Sequence, residues 1–364
     1  MQIQKKSVIK QLEAMMGREI NEIVQMPMEE DNSLTGKTSL GVAPISKLRI
    51  FYKDAGVCDV IVKSKSYKVI LNGIKLLNFE KSGKLLYRLL RHHGILSFDR
   101  SFLREIAFYQ NIDRELRRSL PLVYGTYQNR LMDRYLIVMK EFSKVEGSMK
   151  DLAYRVLDSI LPFHISFYGK KESVARLKLN CYSVKEYERS RFLLKNLFEG
   201  LGAENRSYFQ EDLPYLMNFI ENIHKRREAL RSHFTLTHND LSPRNLYFDG
   251  EAVILYDWEL AAYQNPEHDL IEFLSFILHE CSDSEVFDLL AYHREKLFSA
   301  LGLQMSEADY QQILEFNAAE FIVNKLSVYR RAGRTFSLDF IDDLCRNAAG
   351  LLRLIRARKQ NGAS

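Results

Sequence analysis

The chain changes periodicity once, near residue 145, and that change limits what it can fold into. Before it, short runs alternate or are β-rich. Leu48, Arg49, Ile50, Phe51 and Tyr52 lead into an Asp54-Ala55-Gly56 turn, and the apolar run Val57, Cys58, Val60, Ile61, Val62 follows, which predicts a hairpin. Residues 101–118 carry Phe102, Ile106, Ala107, Phe108 and Ile112 at helical spacing, and two further strand-like runs occupy 122–127 and 135–139. Residues 6–25 also repeat apolar positions at helical spacing, which predicts a leading amphipathic helix. After 145 the spacing is helical through 150–167, 184–200, 211–231, 266–280, 284–300, 306–330 and 337–357. The expectation is an α+β, bilobal architecture with a small β-rich N-terminal lobe at 1–141 and a larger, mainly helical lobe at 142–364. A chain of 364 residues is long enough for two such cores.

One interruption of the helical region carries the chemistry. Leu246, Tyr247 and Phe248 are joined by Asp249-Gly250 to Ala252, Val253, Ile254, Leu255 and Tyr256, a strong hairpin signal. His238, Asp240 and Asn245 precede this hairpin and Asp257 follows it. A hairpin sets its two ends side by side, so Asn245 and Asp257 are expected to project into one cleft with Asp240 nearby. Two oxygen ligands converging on a point suit Mg²⁺, which also takes phosphate oxygens and water. A third carboxylate close by can accept a proton from a hydroxyl.

This His-x-Asp-x4-Asn pattern, followed by a hairpin and an aspartate, resembles the catalytic loop and metal-binding aspartate of kinases. His238-Asn239-Asp240, Asp257-Trp258-Glu259 and Pro266-Glu267-His268-Asp269-Leu270 are closer still to the aminoglycoside phosphotransferase and choline/ethanolamine kinase families. The resemblance covers most of residues 35–280 and implies a protein-kinase-like fold, ATP and Mg²⁺ as cofactors, and a phosphotransferase with an alcohol group as acceptor. It makes Asp240 the catalytic base and Asn245 and Asp257 the metal ligands. It implies that Lys63 binds the α/β-phosphates, that Glu105 pairs with it, and that the backbone of Lys140 to Phe142 hydrogen-bonds adenine. His238 is expected to shape the loop through a ring-to-backbone hydrogen bond, and Asp269 to accept from loop N–H groups. Trp258 reads as core, Glu259 as lining the acceptor pocket or facing solvent, and Arg244 as an exposed loop residue or a support for the transferred phosphoryl charge.

Two departures qualify the pattern. No Gly-x-Gly-x-x-Gly precedes Lys63, the nearest candidate loop being residues 34–41. The stretch from Asp257 to Asp269 is too short for a protein-kinase activation segment, which argues for a small-molecule hydroxyl acceptor rather than a protein. An amino alcohol, an aminoglycoside or a related metabolite is expected, because Asp240, Asp257 and Glu259 would make the cleft negative. The alternative is a catalytically inactive kinase-like binding or assembly protein. Its mark would be a lost Asp240, Asn245 or Asp257, and all three are present.

Composition excludes other classes. The net charge of +5 is small for this length, and its basic clusters are short: Lys225, Arg226 and Arg227; Arg330, Arg331 and Arg334; Arg353, Arg356, Arg358 and Lys359. They read as solvated helix faces, so no nucleic-acid partner is expected. Cys58, Cys181, Cys281 and Cys345 form no Cys-x-x-Cys pair and predict no disulfide framework or structural zinc. No apolar run is long enough to span a membrane, and no signal peptide is visible, so a cytoplasmic protein is expected.

Overall fold

The computed structural model describes residues 2–27, 45–67, 101–144, 147–177, 207–249, 252–333 and 338–361, with 179, 195 and 198 singly. The candidate loop at 34–41, the turn residue Gly250, Cys181 and nearly all of the helix expected at 184–200 lie outside the described residues.

The first lobe opens with helix α1 (Gln2–Met16). Gly17 then adopts a left-handed conformation (φ 66°) and ends the helix, and strand β1 (Ile20–Met26) begins. The single helix expected over 6–25 is therefore two elements. Apolar spacing ran on through Ile20, Ile23 and Val24, but these β-branched residues follow a glycine stop and form an edge strand. Strands β2 (Ile45–Tyr52) and β3 (Val57–Lys65) form the expected hairpin. Helix α2 (Ser101–Asn111) comes next, then β4 (Val123–Asn129) and β5 (Arg134–Lys140). The five strands form an antiparallel sheet in the order β1-β2-β3-β5-β4.

Alternation gives the sheet two different faces. Val60 and Val138 pack outward with Leu12, Ile20, Ile50 and Tyr52 in a small core roofed by α1. Ile137 and Met139 belong to the large core instead, and Ile61 packs against it. Lys63 and Lys65, two and four residues beyond Ile61, fall on this inner face, toward α2.

The second part begins with the short strand β6 (Ser143–Lys144) and helices α3 (Met149–Phe167), α4 (Lys171–Ala175) and α5 (Leu213–Ala229). Strands β7 (Thr235–Thr237), β8 (Leu246–Asp249), β9 (Ala252–Leu255) and β10 (Ala262–Gln264) follow. Helices α6 (Glu267–Ile277), α7 (Asp283–Leu301), α8 (Glu307–Glu320), α9 (Ser327–Gly333) and α10 (Ile341–Asn361) complete it. The hairpin pairs Leu246 with Leu255, and β6 extends it along the Tyr247–Phe248 edge. A second pair, β7 with β10, was not visible in the sequence because three-residue strands are too short to show periodicity. Together these small sheets clamp residues 238–245 at both ends.

Trp258 is fully buried, as its sequence context suggested. Its ring stacks on Phe108 of α2 at 4.2 Å between centroids and leans on Phe163 of α3 at 4.7 Å. Arg104 of α2 donates to the Glu259 carbonyl. The helix that carries Glu105 is thus docked onto the end of the hairpin that carries Asp257.

Of the basic clusters, Lys225, Arg353 and Arg358 are exposed as expected, and Arg227 is not. Arg227 is buried against Glu320 (2.7 Å), because its aliphatic stem packs in the helical core and only a carboxylate can compensate its charge there. Arg353 and Arg356 both reach Asp212, at 2.8 and 2.9 Å. No helix among the described residues is long and apolar enough to cross a membrane.

Gly125 in β4 sets how closely α1 approaches the sheet. A Cβ there would lie 2.6 Å from Met15 Cβ and 3.1 Å from Met15 Cα, atoms that cannot swing away. Gly125→Ala is expected to destabilise the N-terminal lobe by about 1–3 kcal/mol, read as a lowered denaturation midpoint. An unchanged midpoint would mean that α1 does not pack there.

Candidate active site

The loop that carries Asp240 is built on buried hydrogen bonds rather than on a helix or strand. Asp269, in the first turn of α6, accepts from the backbone N–H of His238 (Oδ2, 2.8 Å) and of Asn239 (Oδ1, 2.7 Å). His164 Nε2 meets the same Oδ2 at 3.0 Å, and His293 backs His164 at 2.9 Å. Burial alone would push the Asp269 carboxyl up. The bond from His164 and the loop N–H bonds override it and hold the carboxyl below its ordinary range. His238 contacts the backbone through its ring, Nε2 lying 2.8 Å from Tyr256 O, and burial pushes its pKa down. The ring is therefore neutral and donates from Nε2 to that carbonyl.

Asn239 takes up a left-handed conformation (φ 57°) between these two anchors. Its side chain repays the strain by donating to Leu260 O at 2.8 Å and accepting from Gln264 Nε2 at 2.9 Å. The turn aims Asp240 away from the core. Asn245 Nδ2 donates to both Asp240 O (2.8 Å) and Asp240 Oδ2 (2.9 Å), which leaves its amide oxygen for another partner. Asp240 Oδ1 accepts from Tyr329 (3.0 Å) and pairs with Lys325 (3.0 Å). Burial favours the neutral acid, but Lys325 and Arg244 outweigh it and hold Asp240 below the usual carboxylate range, so it is ionised at neutral pH.

Asp257 follows the second strand of the hairpin at the same open end as Asn245, to which its neighbour Tyr256 is tied by an N–H bond to Asn245 O (2.9 Å). It too is left-handed (φ 65°). Its Oδ1 is 2.6 Å from Lys63 Nζ, which also donates to Glu105 Oε1 at 2.9 Å. Lys63 is 3% exposed and Glu105 fully buried. Desolvation works against the Lys63 charge, but Asp257 and then Glu105 prevail and raise its pKa. Lys63 and Lys65 in turn hold Asp257 below its ordinary range against its own burial.

A second lysine shares this pocket. Lys65 is 3.1 Å from Glu105 Oε2 and pairs with Glu259, yet burial pushes it down to about 8. It lies one strand repeat beyond Lys63, which is the signal that could have revealed it. Glu259 therefore does not face solvent. Its side chain turns back to β3, where a buried lysine compensates its charge.

Three carboxylates crowd this pocket, with Lys63 and Lys65 as the cations between them. Carboxylate oxygens of Glu105, Asp257 and Glu259 lie within 4.8 Å of one another. Asp257 Oδ1 is buried and, although close to Lys63, has no well-directed hydrogen bond. Asp257 Oδ1 and the spare amide oxygen of Asn245 are hard oxygen donors of the kind Mg²⁺ takes.

Of the three residues expected to border adenine, Lys140 and Glu141 already donate their N–H groups, to Leu122 O (2.8 Å) and Asp59 O (3.2 Å). The donor those bonds leave is the Phe142 N–H. The Phe142 ring packs on Tyr247 (4.1 Å) and Tyr256 (5.1 Å), beside the ammonium of Lys63, which lies 4.7 Å from the Tyr256 ring centre. Arg244 reaches the opposite, helical side of the cleft, 4.1 Å from the Phe340 ring and 5.5 and 5.7 Å from Phe276 and Tyr329. Lys325, Tyr329 and Glu272 also border Asp240 and were not read from the sequence. Glu272 could have been found as the helical neighbour three residues beyond Asp269. Lys325 and Tyr329 sit more than eighty residues from the loop and carry no local motif.

A family model described as the phosphotransferase enzyme family matches residues 183–296, the segment that contains this loop and hairpin. No curated protein matches the chain in sequence. Among solved structures the chain is similar to a choline kinase from Cryptosporidium parvum Iowa II, at 12% identity over 98% of this chain and 97% of that one, with a TM-score of 0.57. It is also similar to a spectinomycin phosphotransferase solved with ADP and spectinomycin (10% identity, 96% and 98% coverage, TM-score 0.54). A microcompartment-associated aminopropanol kinase gives 12% identity, 98% coverage of each chain and a TM-score of 0.52. These likenesses bear out the bilobal kinase-like fold, and the family match bears out the resemblance read from the sequence.

Asp269→Ala removes the partner of two loop N–H groups and of His164. We expect a loss of about 3–5 kcal/mol in chemical denaturation at pH 7. Because the folded pKa of Asp269 is lowered, this contribution is full above the unfolded value of ~3.9 and fades as pH falls through the folded value. A variant as stable as the parent at pH 7 would show that the loop is held by other means.

Proposed function

We propose that this chain is an ATP-dependent small-molecule kinase that transfers the γ-phosphoryl group to a hydroxyl of an amino alcohol, aminoglycoside or related metabolite. One observation carries the reading. At the open end of the hairpin, Asp240 and Asn245 are hydrogen-bonded to each other, and next to Asn245 the chain leaves the hairpin at Asp257, which forms a buried ion-pair cluster with Lys63 and Glu105. Residues 1–141 would serve as the nucleotide lobe and 142–364 as the acceptor lobe.

The roles follow from what each group can do. Lys63, kept charged and held by Glu105, offers its ammonium to the α/β-phosphates, and Lys140 to Phe142 border the adenine. Asn245 and Asp257 are the groups that would hold Mg²⁺, which when bound neutralises charge on the phosphate oxygens. Asp240 orients the acceptor hydroxyl. As that oxygen bonds to the γ-phosphorus and the bond to the β-phosphate oxygen breaks, the hydroxyl proton passes to Asp240 and ADP leaves. A carboxylate held below its ordinary pKa range is a weak base, so it takes the proton late and works chiefly by aiming the hydroxyl.

Lysines compensate most of the negative charge around Asp240 and Asp257. Lys63 and Lys65 share Glu105, Asp257 and Glu259, and Lys325 shares Asp240 and Glu272, so the excess of carboxylates that would favour an amine is small. What supports an amine-bearing acceptor is the aromatic surface of Phe276, Tyr329 and Phe340, which already holds one organic cation, that of Arg244. ADP in the spectinomycin phosphotransferase structure supports nucleotide use. ATP as donor and the free thiols of Cys58, Cys281 and Cys345 support a cytoplasmic location.

ADP release measured across amino alcohols, aminoglycosides and sugars tests the proposal. Asp240→Ala is expected to lower kcat by about 100- to 10,000-fold on the true acceptor while Mg²⁺-ATP binding persists. Asp257→Ala is expected to weaken Mg²⁺-ATP binding itself. Near-normal turnover by Asp240→Ala would contradict the assignment, and no thermal shift with millimolar Mg²⁺-ATP would favour a binding protein.

A further inference from the structure

Lys325 is a half-buried cation beside the reacting carboxylate for which the proposed mechanism has no task. It lies in a π-helical stretch, Phe321–Leu326, between α8 and α9. A π turn inserts one residue and rotates the following helix face by about 100°, and such turns gather at functional sites. Ser327 Oγ donates to Ile322 O, five residues back, at 3.0 Å, which takes up a carbonyl in the widened turn.

The consequence is that Lys325 and Tyr329, one turn apart, converge on one atom. Both reach Asp240 Oδ1, each at 3.0 Å. Lys325 Nζ also donates to Asn239 O at 2.5 Å and pairs with Glu272, whose side chain is fully buried on α6. Asn245 grips the other oxygen, Oδ2, at 2.9 Å. A carboxylate held from both sides by three donors cannot rotate, and the oxygen with the fewer partners is Oδ2.

Resting on the kinase reading of Asp240, we propose that Lys325, steadied by Glu272, is a positioning residue for phosphoryl transfer. It locks Oδ1 of Asp240 and the carbonyl of Asn239, so that Oδ2 is presented to the acceptor hydroxyl. Two features separate this role from a general structural ion pair. The lysine touches the catalytic loop at two successive residues, Asn239 and Asp240, rather than one. Its carboxylate holder sits on the helix whose Asp269 already fixes the same loop, so a single helix sets both the loop backbone and the group that aims its side chain.

The test is steady-state kinetics of the full chain with Mg²⁺-ATP and the acceptor found by the panel, for Lys325→Met, Lys325→Arg and Glu272→Gln. Lys325→Met is expected to lower kcat about 100-fold, with KM for ATP and acceptor changed less than about threefold. Lys325→Arg should recover at least about a tenth of kcat, and Glu272→Gln should lose about tenfold. If Lys325→Met does not fold, Arg rescue and the Glu272→Gln loss decide the matter. Wild-type transfer together with unchanged kcat in Lys325→Met, or in Glu272→Gln where Met does not fold, overturns this proposal alone. Absence of transfer by the wild-type chain with every acceptor overturns it together with the kinase reading.

Discussion

The site hangs on a buried carboxylate that does no chemistry. Asp269 gives its two oxygens to the N–H groups of His238 and Asn239, and His164 secures it from behind. Without those bonds the loop would bury two orphaned donors, and the left-handed Asn239 would rest on its side-chain bonds and Lys325 alone. The strain at Asn239 is what turns Asp240 out of the core. A carboxylate in the first turn of a helix is also well placed electrostatically, because the helix N-terminus favours negative charge.

The second constraint is compensation across the cleft. Lys63, Lys65, Glu105, Asp257 and Glu259 are ionisable groups largely removed from water, and each has a partner of opposite sign. Removing either lysine would leave a buried carboxylate uncompensated. The same compensation explains how the cleft can receive a nucleotide. Phosphates and a divalent cation bring both signs, so the lysines can exchange a carboxylate for a phosphate and Asp257 a lysine for a metal without stranding charge.

Local signals in the chain announced much of this. The β2–β3 and β8–β9 hairpins, α2, β5 and most later helices follow from alternation, helical spacing and turn residues. The cluster around Asp240 was legible because one short segment holds the loop, the hairpin and Asp257, and the hairpin forces its ends together. Long-range partners were not legible. Lys325 and Tyr329 act from a helix distant in sequence, and their meeting depends on a π turn that leaves no mark in apolar spacing. The break after Gly17 was missed because Ile20, Ile23 and Val24 happen to continue the helical period. Glu259 was misjudged because its compensating lysine lies in another lobe.

The central claim is that Asn245 and Asp257 share one divalent cation, on the nucleotide phosphates that Lys63 holds and within reach of Asp240. A crystal grown with Mn²⁺ and a non-hydrolysable ATP analogue tests it most directly, since Mn²⁺ scatters anomalously. The account predicts an anomalous peak bonded to the amide oxygen of Asn245 and a carboxylate oxygen of Asp257. A peak elsewhere, or nucleotide bound away from Lys63 with Asp257 still paired to it, would contradict the account.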